Sequence, residues 1–296
     1  MAEKSEKSLE NSRYDYLPHI GRKEIRWPNG ARVAVFVAVN IEYFHIDQPV
    51  GGHGNSHLPD VSAYSARDYG SRIGLFRLTE VLDRHRVRAS VFLNSHVCRH
   101  QPAIISEGEA RGWEWLGHGH TNNLRLADYP VEKERQVIRE VKEAIFAAVG
   151  RAPKGWASPG LAETFNTPDH LAAEGFEYLC DWGCDDQPVP MRVQSGRMVV
   201  LPVHPSVSDI ALFLRSQSAP SEYLRILRDQ FDRLYMEGAG SGMVMAIPLH
   251  PFVIGLPFRI QYLDAALRYI RSHRDVWWAT SAEIAEWYYR HYYDRA

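Results

Sequence analysis

The sequence predicts an α/β protein that folds as a single distorted (β/α) barrel of about seven parallel strands. The chain has 296 residues, of which 45% are hydrophobic, and this length suits one barrel domain. Segments with strand-like and helix-like patterns alternate along it, which predicts right-handed βαβ units and a mostly parallel sheet. A doubly wound open sheet is the competing architecture, but no glycine-rich nucleotide-binding motif follows the first predicted strand.

The chain divides into a short leader and the barrel domain. Residues 1–30 lack apolar periodicity and are predicted to be an irregular leader, whereas residues 31–296 form the barrel. The first strand, at 32–41, is a near-continuous run of β-branched and apolar residues, which is typical of a strand buried on both faces. A long loop rich in glycine, histidine, asparagine and proline is predicted at 43–68, followed by an amphipathic helix at 69–85.

Capping and turn signals bound several of the later elements. Pro130 and Gly150 bracket a helix in the expected order, with proline at its beginning and glycine just past its end. Ser195-Gly196 predicts a hairpin turn, and Thr280-x-x-Glu283 predicts a capping box for the final helix. The other predicted strands lie at 89–93, 113–116, 154–156, 176–179, 243–249 and 276–279, and the other helices at 103–111, 167–174, 220–237 and 259–273.

The charge balance argues against nucleic acid and membranes as partners. The formal net charge is -2, with no electrostatic footprint for either. No apolar stretch resembles a secretory signal or a membrane span, and three cysteines suit a reduced compartment, so we expect a cytoplasmic protein. The expected partner is a small-molecule substrate. The aromatic C-terminus suggests contacts in a homo-oligomer, or equally well the packing of the last helix.

Polar side chains stand where the predicted strands end. In parallel α/β barrels the catalytic groups lie at the carboxyl ends of the strands. Glu42 follows the first predicted strand, His118 the third and His250 the penultimate one. We predict that these three side chains converge on one cleft as catalytic groups. A carboxylate with imidazoles suits the activation of water for attack on an acyl carbon, with or without a metal.

Further residues near strand ends are candidates for binding the substrate. These candidates are Asn40, Asn122, Trp156, Trp182, Asp185, Asp186 and Arg259. The two tryptophans are predicted to wall a compact pocket. Arg259 is predicted either to bind a carboxylate or carbonyl of the substrate or to begin a helix, and the paired aspartates either face the substrate or cap a turn.

Four short segments carry a family resemblance. They are G-H-G-H-T-N-N at 117–123, N-I-E at 40–42, D-D-Q-P at 185–188 and H-P-F-V-I-G-L-P-F-R-I at 250–260. The first resembles the H-[ST]-x-x-H motif of polysaccharide deacetylases. The others resemble N-x-E, D-D-L-P and H-x-x-x-x-G-x-P-x-R-I of an allantoinase-like subgroup with related cyclic imide hydrolases. The resemblance covers roughly residues 32–289 and implies a barrel of the NodB-homology type.

The resemblance implies a hydrolase of non-peptide carbon–nitrogen bonds, most specifically one that opens a small cyclic amide, imide or ureide. An N-acetyl deacetylase of polysaccharides or oligosaccharides is the alternative, and a non-catalytic barrel that binds a small ligand is a further one. The family's metal triad is Asp-His-His, but Asn122 stands where the second histidine is expected. One divalent metal, preferably zinc, held by Glu42, His118 and Asn122, and a metal-independent site both stay open. Glu42 is accordingly either the base or a metal ligand.

Overall fold

One nine-stranded sheet forms the centre of the computed structural model, which describes residues 11–50 and 57–294. The strands are β1 (Val33–Ile41), β2 (Ala89–Leu93), β3 (Glu114–Gly117), β4 (Gly155–Trp156), β5 (Tyr178–Leu179), β6 (Val189–Met191), β7 (Met198–Val200), β8 (Met243–Leu249) and β9 (Val276–Trp278). They lie in the order β6-β7-β5-β4-β3-β2-β1-β8, and β9 pairs with the first half of β1. Within the described residues every pairing is parallel except the predicted hairpin β6–β7. This curled, mostly parallel sheet confirms the predicted fold class.

Helices alternate with the strands along the chain. They are α1 (Val61–Tyr69), α2 (Leu75–Arg84), α3 (Ser95–His100), α4 (Pro102–Ala110), α5 (Val131–Val149), α6 (Thr167–Ala173), α7 (Pro220–Glu237), α8 (Pro251–Ile254), α9 (Pro257–Arg271) and α10 (Ser281–Tyr288). Gly150 ends α5 with a left-handed φ of 73°, and the Thr280 side chain accepts a hydrogen bond from Glu283 N at the start of α10. Both capping predictions are therefore confirmed. Among the helices described here, none has the length and apolar character needed to cross a membrane.

The predicted loop at 43–68 is too long at its carboxyl end. Helix α1 begins at Val61, and the Asp60 side chain caps it by accepting a hydrogen bond from Ala63 N at 3.0 Å. A π-helical turn (Gly70–Gly74) then joins α1 to α2. Ala63 is the one buried residue of α1, so this helix has no apolar stripe that a periodicity argument could detect. Residues 51–56 of the predicted loop lie outside the described residues.

Side chains of β1 alternate between two layers of core. Val33, Val35 and Val37 pack in the cluster that also contains the helices, whereas Ala34 and Phe36 pack in the interior of the curled sheet. Successive side chains of a strand point to opposite faces, so even-numbered residues of β1 face the interior. Both layers are fully buried along this strand, as the uninterrupted apolar run predicts.

The leader contributes to the interior core at the amino ends of the strands. Ile25 and Trp27 are buried there, and the Trp27 indole N–H donates to the carbonyl oxygen of Met243, the first residue of β8, at 2.9 Å. Tyr288 and Tyr289 are buried in the same cluster. The aromatic C-terminus therefore packs at least partly within its own subunit.

A short segment before β6 links the two edges of the sheet. Val244 N of β8 donates to the carbonyl oxygen of Asp186 at 2.8 Å. The Gln187 amide donates to Ser241 Oγ at 2.8 Å and to the carbonyl oxygen of Gly242 at 3.0 Å. These bonds connect the segment before the β6–β7 hairpin to the start of β8 at the opposite edge of the sheet.

Candidate active site

Strand alternation carries the predicted catalytic side chains into one interior space. Asn40 and Glu42 continue the even-numbered, inward-facing series of β1. His118 continues the series of β3, whose Leu116 faces the interior, and His250 continues that of β8, whose Ala246 does the same. The inward-facing residues that directly follow β1, β3 and β8 therefore lie together at the carboxyl end of the sheet.

Glu42, His118 and His250 meet there. Glu42 Oε1 lies 3.8 Å from His118 Nε2 and 3.9 Å from His250 Nε2. All three side chains are largely buried, with 7% of Glu42, 3% of His118 and 11% of His250 exposed. The structure thus brings together the three residues proposed as catalytic groups, with one carboxylate oxygen facing two imidazole nitrogens.

His118 is held through its other ring nitrogen. Its Nδ1 lies 2.6 Å from the carbonyl oxygen of Ala157, which can only accept a hydrogen bond. Nδ1 therefore carries the proton, and Nε2 is a lone-pair acceptor in the neutral ring. That Nε2 atom is buried and has no hydrogen-bond partner among the described residues. Its lone pair is therefore not used by any described residue, although His118 lines the cavity.

His250 is held by a buried carboxylate that sequence analysis missed. Asp209 is fully buried, and its Oδ1 lies 2.7 Å from His250 Nδ1 while its Oδ2 accepts from the backbone N of His250 at 2.7 Å. Burial opposes protonation of His250, but the Asp209 carboxylate outweighs it and raises the pKa of the imidazole above its ordinary value. The one available signal was an acid inside the apolar run V-S-D-I-A-L-F-L at 207–214.

Asparagine side chains position the carboxylate side of the site. Asn122 Nδ2 donates to Glu42 Oε1 at 2.6 Å, and the backbone N of Asn122 donates to the carbonyl oxygen of Tyr43 at 3.0 Å. Asn40 Nδ2 donates to the carbonyl oxygen of Leu249 at 3.1 Å, which ties β1 to β8 just below the site. Both asparagines line the cavity, and their hydrogen bonds in the structure are to the protein, so binding of a substrate by them stays a prediction.

The three proposed catalytic residues face a cavity of about 480 Å³. Four buried polar atoms on cavity-lining residues have no hydrogen-bond partner among the described residues, and they are His118 Nε2, Asn122 Oδ1, Ser208 Oγ and Arg67 Nε. Buried polar atoms are nearly always hydrogen-bonded, so such a concentration around one cavity indicates a site whose partners come from a ligand or water.

Arg67 is the second functional candidate that sequence analysis missed. It lies in α1, inside the region predicted as loop, and its guanidinium lies 4.8 Å from the ring centroid of Phe252 and 5.7 Å from that of Phe44. Burial lowers the pKa of Arg67, and the negative charge of Glu42 partly offsets this effect. A partly buried cation thus lines the same cavity as Glu42.

Trp156 does not wall the cavity, and this prediction is wrong. The β3–β4 register pairs Trp156 with Gly117, which places the indole on the helix side of the sheet. The ring is fully buried, packs against Phe176 at 5.4 Å, and covers Gly117 so closely that a Cβ there would overlap it. The next residue, Ala157, is the one that faces the interior beside His118.

Trp182 lies in a different groove, so its predicted position in the catalytic pocket is also wrong. Its indole N–H donates to both carboxylate oxygens of Glu163, at 3.1 and 3.2 Å. This groove, of about 1010 Å³, is larger than the catalytic cavity but has no histidine among its described lining residues. Burial and the neighbouring Asp181 carboxyl raise the pKa of Glu163 well above its ordinary value.

Asp185 and Asp186 do not face the cavity, and the alternative that they organise a turn agrees with the structure. Asp185 Oδ1 accepts from the backbone N of Asp186 and of Gln187, and its carboxylate pairs with Arg22 of the leader at 2.6 Å. Asp186 Oδ1 lies 3.0 Å from His204 Nε2. These residues hold the segment that links the two sheet edges, and neither is among the residues that line the cavity.

Arg259 is a helix residue instead of a substrate ligand. It lies in the first turn of α9, where Nη1 donates to the carbonyl oxygen of Val253 at 3.2 Å. Its guanidinium lies 4.4 Å from the ring centroid of Phe213 and 5.0 Å from that of Phe258. It does not belong to the residues that line the cavity. The second of the two predicted roles therefore agrees with the structure.

The zinc set predicted from the sequence, Glu42, His118 and Asn122, does not fit a divalent metal. Asn122 turns its amide N–H toward Glu42, and an amide oxygen is not among the usual zinc ligands, so the set offers two strong ligands instead of three. Ligands of a tetrahedral zinc with bonds of about 2.0–2.1 Å lie about 3.3 Å apart. The separations of Glu42 Oε1 from the two imidazoles, 3.8 and 3.9 Å, are longer than this. Over residues 11–50 and 57–294, no three His, Cys, Asp or Glu side chains form a group that could hold a metal ion.

Comparison with known proteins adds independent findings. Residues 55–179 match the family described as polysaccharide deacetylase. A Schizosaccharomyces pombe protein named as a polysaccharide deacetylase is 24% identical, over 90% of this chain and 93% of its own. The crystal structure of a probable polysaccharide deacetylase from Pseudomonas aeruginosa PAO1 is 26% identical with a TM-score of 0.83, covering 92% of this chain and 95% of its own. That of PuuE allantoinase is 24% identical with a TM-score of 0.80, over the same shares.

Proposed function

We propose that this chain is a hydrolase of non-peptide carbon–nitrogen bonds and that it opens a small cyclic amide, imide or ureide with an activated water. Its match to the polysaccharide deacetylase family over residues 55–179, and its similarity to named polysaccharide deacetylases, support the hydrolase class. The observation that carries the proposal is the meeting of Glu42 with two imidazoles, each held through its second ring nitrogen. A cavity of about 480 Å³ has the size of a small-molecule site. The fold shared with PuuE allantoinase is compatible with ring opening.

The attacking water is oriented by two acceptors. Glu42 Oε1 and His118 Nε2 both offer lone pairs, and the 3.8 Å between them allows one water to donate a hydrogen bond to each. The lone pairs of that water then point away from both groups, toward a carbonyl carbon in the cavity. Glu42 takes the proton of the water as the carbon–oxygen bond forms, which is general base catalysis.

The departing nitrogen receives its proton from His250. Asp209 holds the ring through Nδ1 and raises the pKa of His250, so Nε2 is protonated in more of the enzyme molecules near neutral pH. As the carbon–nitrogen bond breaks, the Nε2 proton passes to the nitrogen, and the proton on Glu42 later restores the starting state through solvent. Asn122, whose amide already donates to Glu42, is the neighbouring donor for the oxyanion. No step uses a metal.

A substrate panel tests this function. We expect purified protein to open at least one of allantoin, hydantoin and succinimide, detected as addition of one water by mass spectrometry, with turnover unaffected by a chelator. Release of acetate from N-acetylated oligosaccharides without ring opening would favour the deacetylase alternative. A ligand that raises the Tm without any turnover across both panels would favour the non-catalytic barrel.

A further inference from the structure

Positive charge dominates the lining of the catalytic cavity. Arg67, Arg125 and Arg215 line it, whereas Glu42 is the one carboxylate among the described lining residues. Arg125 and Arg215 are exposed and lie at the rim. A cavity lined by guanidinium groups attracts anions, because low-dielectric walls concentrate the field of its charges. Glu42 is assigned to the water, so the excess charge calls for a negative group on the substrate.

The contacts of the Arg67 guanidinium suit it to bind a negative group. The aromatic rings of Phe44 and Phe252 lie 5.7 and 4.8 Å from its guanidinium carbon and restrict how the side chain moves. Its Nη1 donates to the carbonyl oxygen of Ala63 at 3.2 Å, one turn earlier in α1. Its buried Nε–H has no hydrogen-bond partner among the described residues. The guanidinium therefore has donors that no described residue uses, and a carboxylate is the acceptor that matches its planar geometry best.

Arg67 lies near enough to the reacting groups to act on the same molecule. It lines the same cavity as Glu42 and His250, the two groups assigned to proton transfer. Together with Phe44 and Phe252 it forms one wall of the cavity in which these groups stand. A substrate whose scissile carbonyl lies beside Glu42 can therefore reach Arg67 with a short substituent.

We propose that the substrate carries a carboxylate beside its scissile amide, and that Arg67 binds this carboxylate and orients the ring. This inference rests on the proposed ring-opening function and narrows it to anionic cyclic amides, imides or ureides. Hydrogen bonds to a charged partner contribute enough to favour the anionic substrate by about tenfold or more over a neutral one of the same shape.

Two matched hydantoins test the proposal. Hydantoin-5-acetate and 5-isobutylhydantoin differ in charge but hardly in shape. We expect calorimetry on the Glu42→Gln variant, which prevents turnover, to give at least about tenfold tighter binding of the acetate. Adding Arg67→Met should abolish this preference, Arg67→Lys should keep part of it, and the exposed Arg72→Met should leave it intact.

Equal binding of the two hydantoins, or a preference that survives Arg67→Met, overturns the carboxylate subsite. The first comparison needs no change at Arg67, so a poorly folded variant does not obscure the result. Turnover of both hydantoins by the wild-type enzyme is measured separately. Preference for the acetate without any ring opening in either panel would contradict the proposed function while leaving the subsite standing, so the two failures are distinguishable.

Discussion

Single residues decide how the two histidines of the site differ. His118 is tied to a backbone carbonyl, whereas His250 is tied to the Asp209 carboxylate, which raises its pKa. Beside the neutral carbonyl of Ala157, His118 is suited to accepting a hydrogen bond from water. Beside the Asp209 carboxylate, His250 is suited to donating a proton. The proposed mechanism therefore gives the two histidines different parts in one reaction.

The pH dependence of activity tests the Asp209–His250 pair. His250 must be protonated to act as the acid, so activity should fall as pH rises through its pKa. Asp209→Asn removes the charge that raises this pKa, and the alkaline limb of the kcat profile should move to lower pH. We also expect kcat to fall by about 10- to 100-fold, because the ring loses its orienting partner.

A matched pair elsewhere in the chain serves as the control. His85 Nε2 and Asp264 Oδ1 lie 2.8 Å apart in a second Asp–His pair that does not line the cavity. Asp264→Asn should leave the pH profile of kcat unchanged. An unshifted alkaline limb in Asp209→Asn, or the same shift in both variants, would remove His250 from the role of acid.

Sequence reasoning located the residues whose place follows from one strand, and missed those whose place depends on a partner. The meeting of Glu42, His118 and His250 is predictable because each directly follows an apolar strand. Asp209 and Arg67 belong to no strand end, and only tertiary contacts bring them to the cavity. The register between β3 and β4 decides which face of the sheet the Trp156 side chain occupies. The local sequence does not reveal that register.

At the level of elements, glycines let the joint between α1 and α2 approach the helix that follows His250. A Cβ at Gly74 would overlap the carbonyl oxygen of Pro251, and a Cβ at Gly70 would lie 2.7 Å from Phe252 N. Such close approach fixes α8 against the wall that carries Arg67. The strands were predicted well because their apolar runs are strong, whereas α1 was missed because its polar surface has no periodicity.

Substitution of Gly74 tests this helix contact. Gly74→Ala should lower the free energy of unfolding by about 1–3 kcal/mol, because the added methyl forces packed backbone apart. It should also reduce kcat, since α8 begins immediately after His250. Thermal unfolding and steady-state kinetics measure both effects. Gly240→Ala is the control, since its Cβ would approach nothing closer than Glu237 O at 3.6 Å. Equal stability of the two variants would contradict the tight contact.

At the level of the whole molecule, the candidate active site and the part of the core that the leader completes lie at opposite ends of the strands. The site lies where the strands end, whereas Ile25 and Trp27 of the leader are buried where β8 begins. The sequence predicts the leader as irregular chain, but it does not reveal that two apolar side chains of the leader pack in the core. This arrangement agrees with the general division of α/β barrels into a catalytic and a stabilising face.

Loss of the leader tryptophan should cost stability and spare catalysis. Trp27→Ala removes a fully buried indole, and we expect about 3–5 kcal/mol lower free energy of unfolding with kcat little changed below the new Tm. Denaturant unfolding measures the first effect and initial rates the second. Tyr16→Ala, at a side chain that is 90% exposed, should be neutral in both. A large fall in kcat of a fully folded Trp27→Ala variant would contradict this separation between the two ends of the strands.

The central claim is that Glu42 activates the attacking water, and the rate of the Glu42→Gln variant tests it most directly. On whichever panel substrate the wild-type enzyme opens, kcat should fall by about 10²–10⁴-fold in Glu42→Gln with an unchanged Tm, because the amide cannot accept the proton of the water. The exposed Glu286→Gln should retain the wild-type rate. Full activity in a folded Glu42→Gln enzyme would contradict the account.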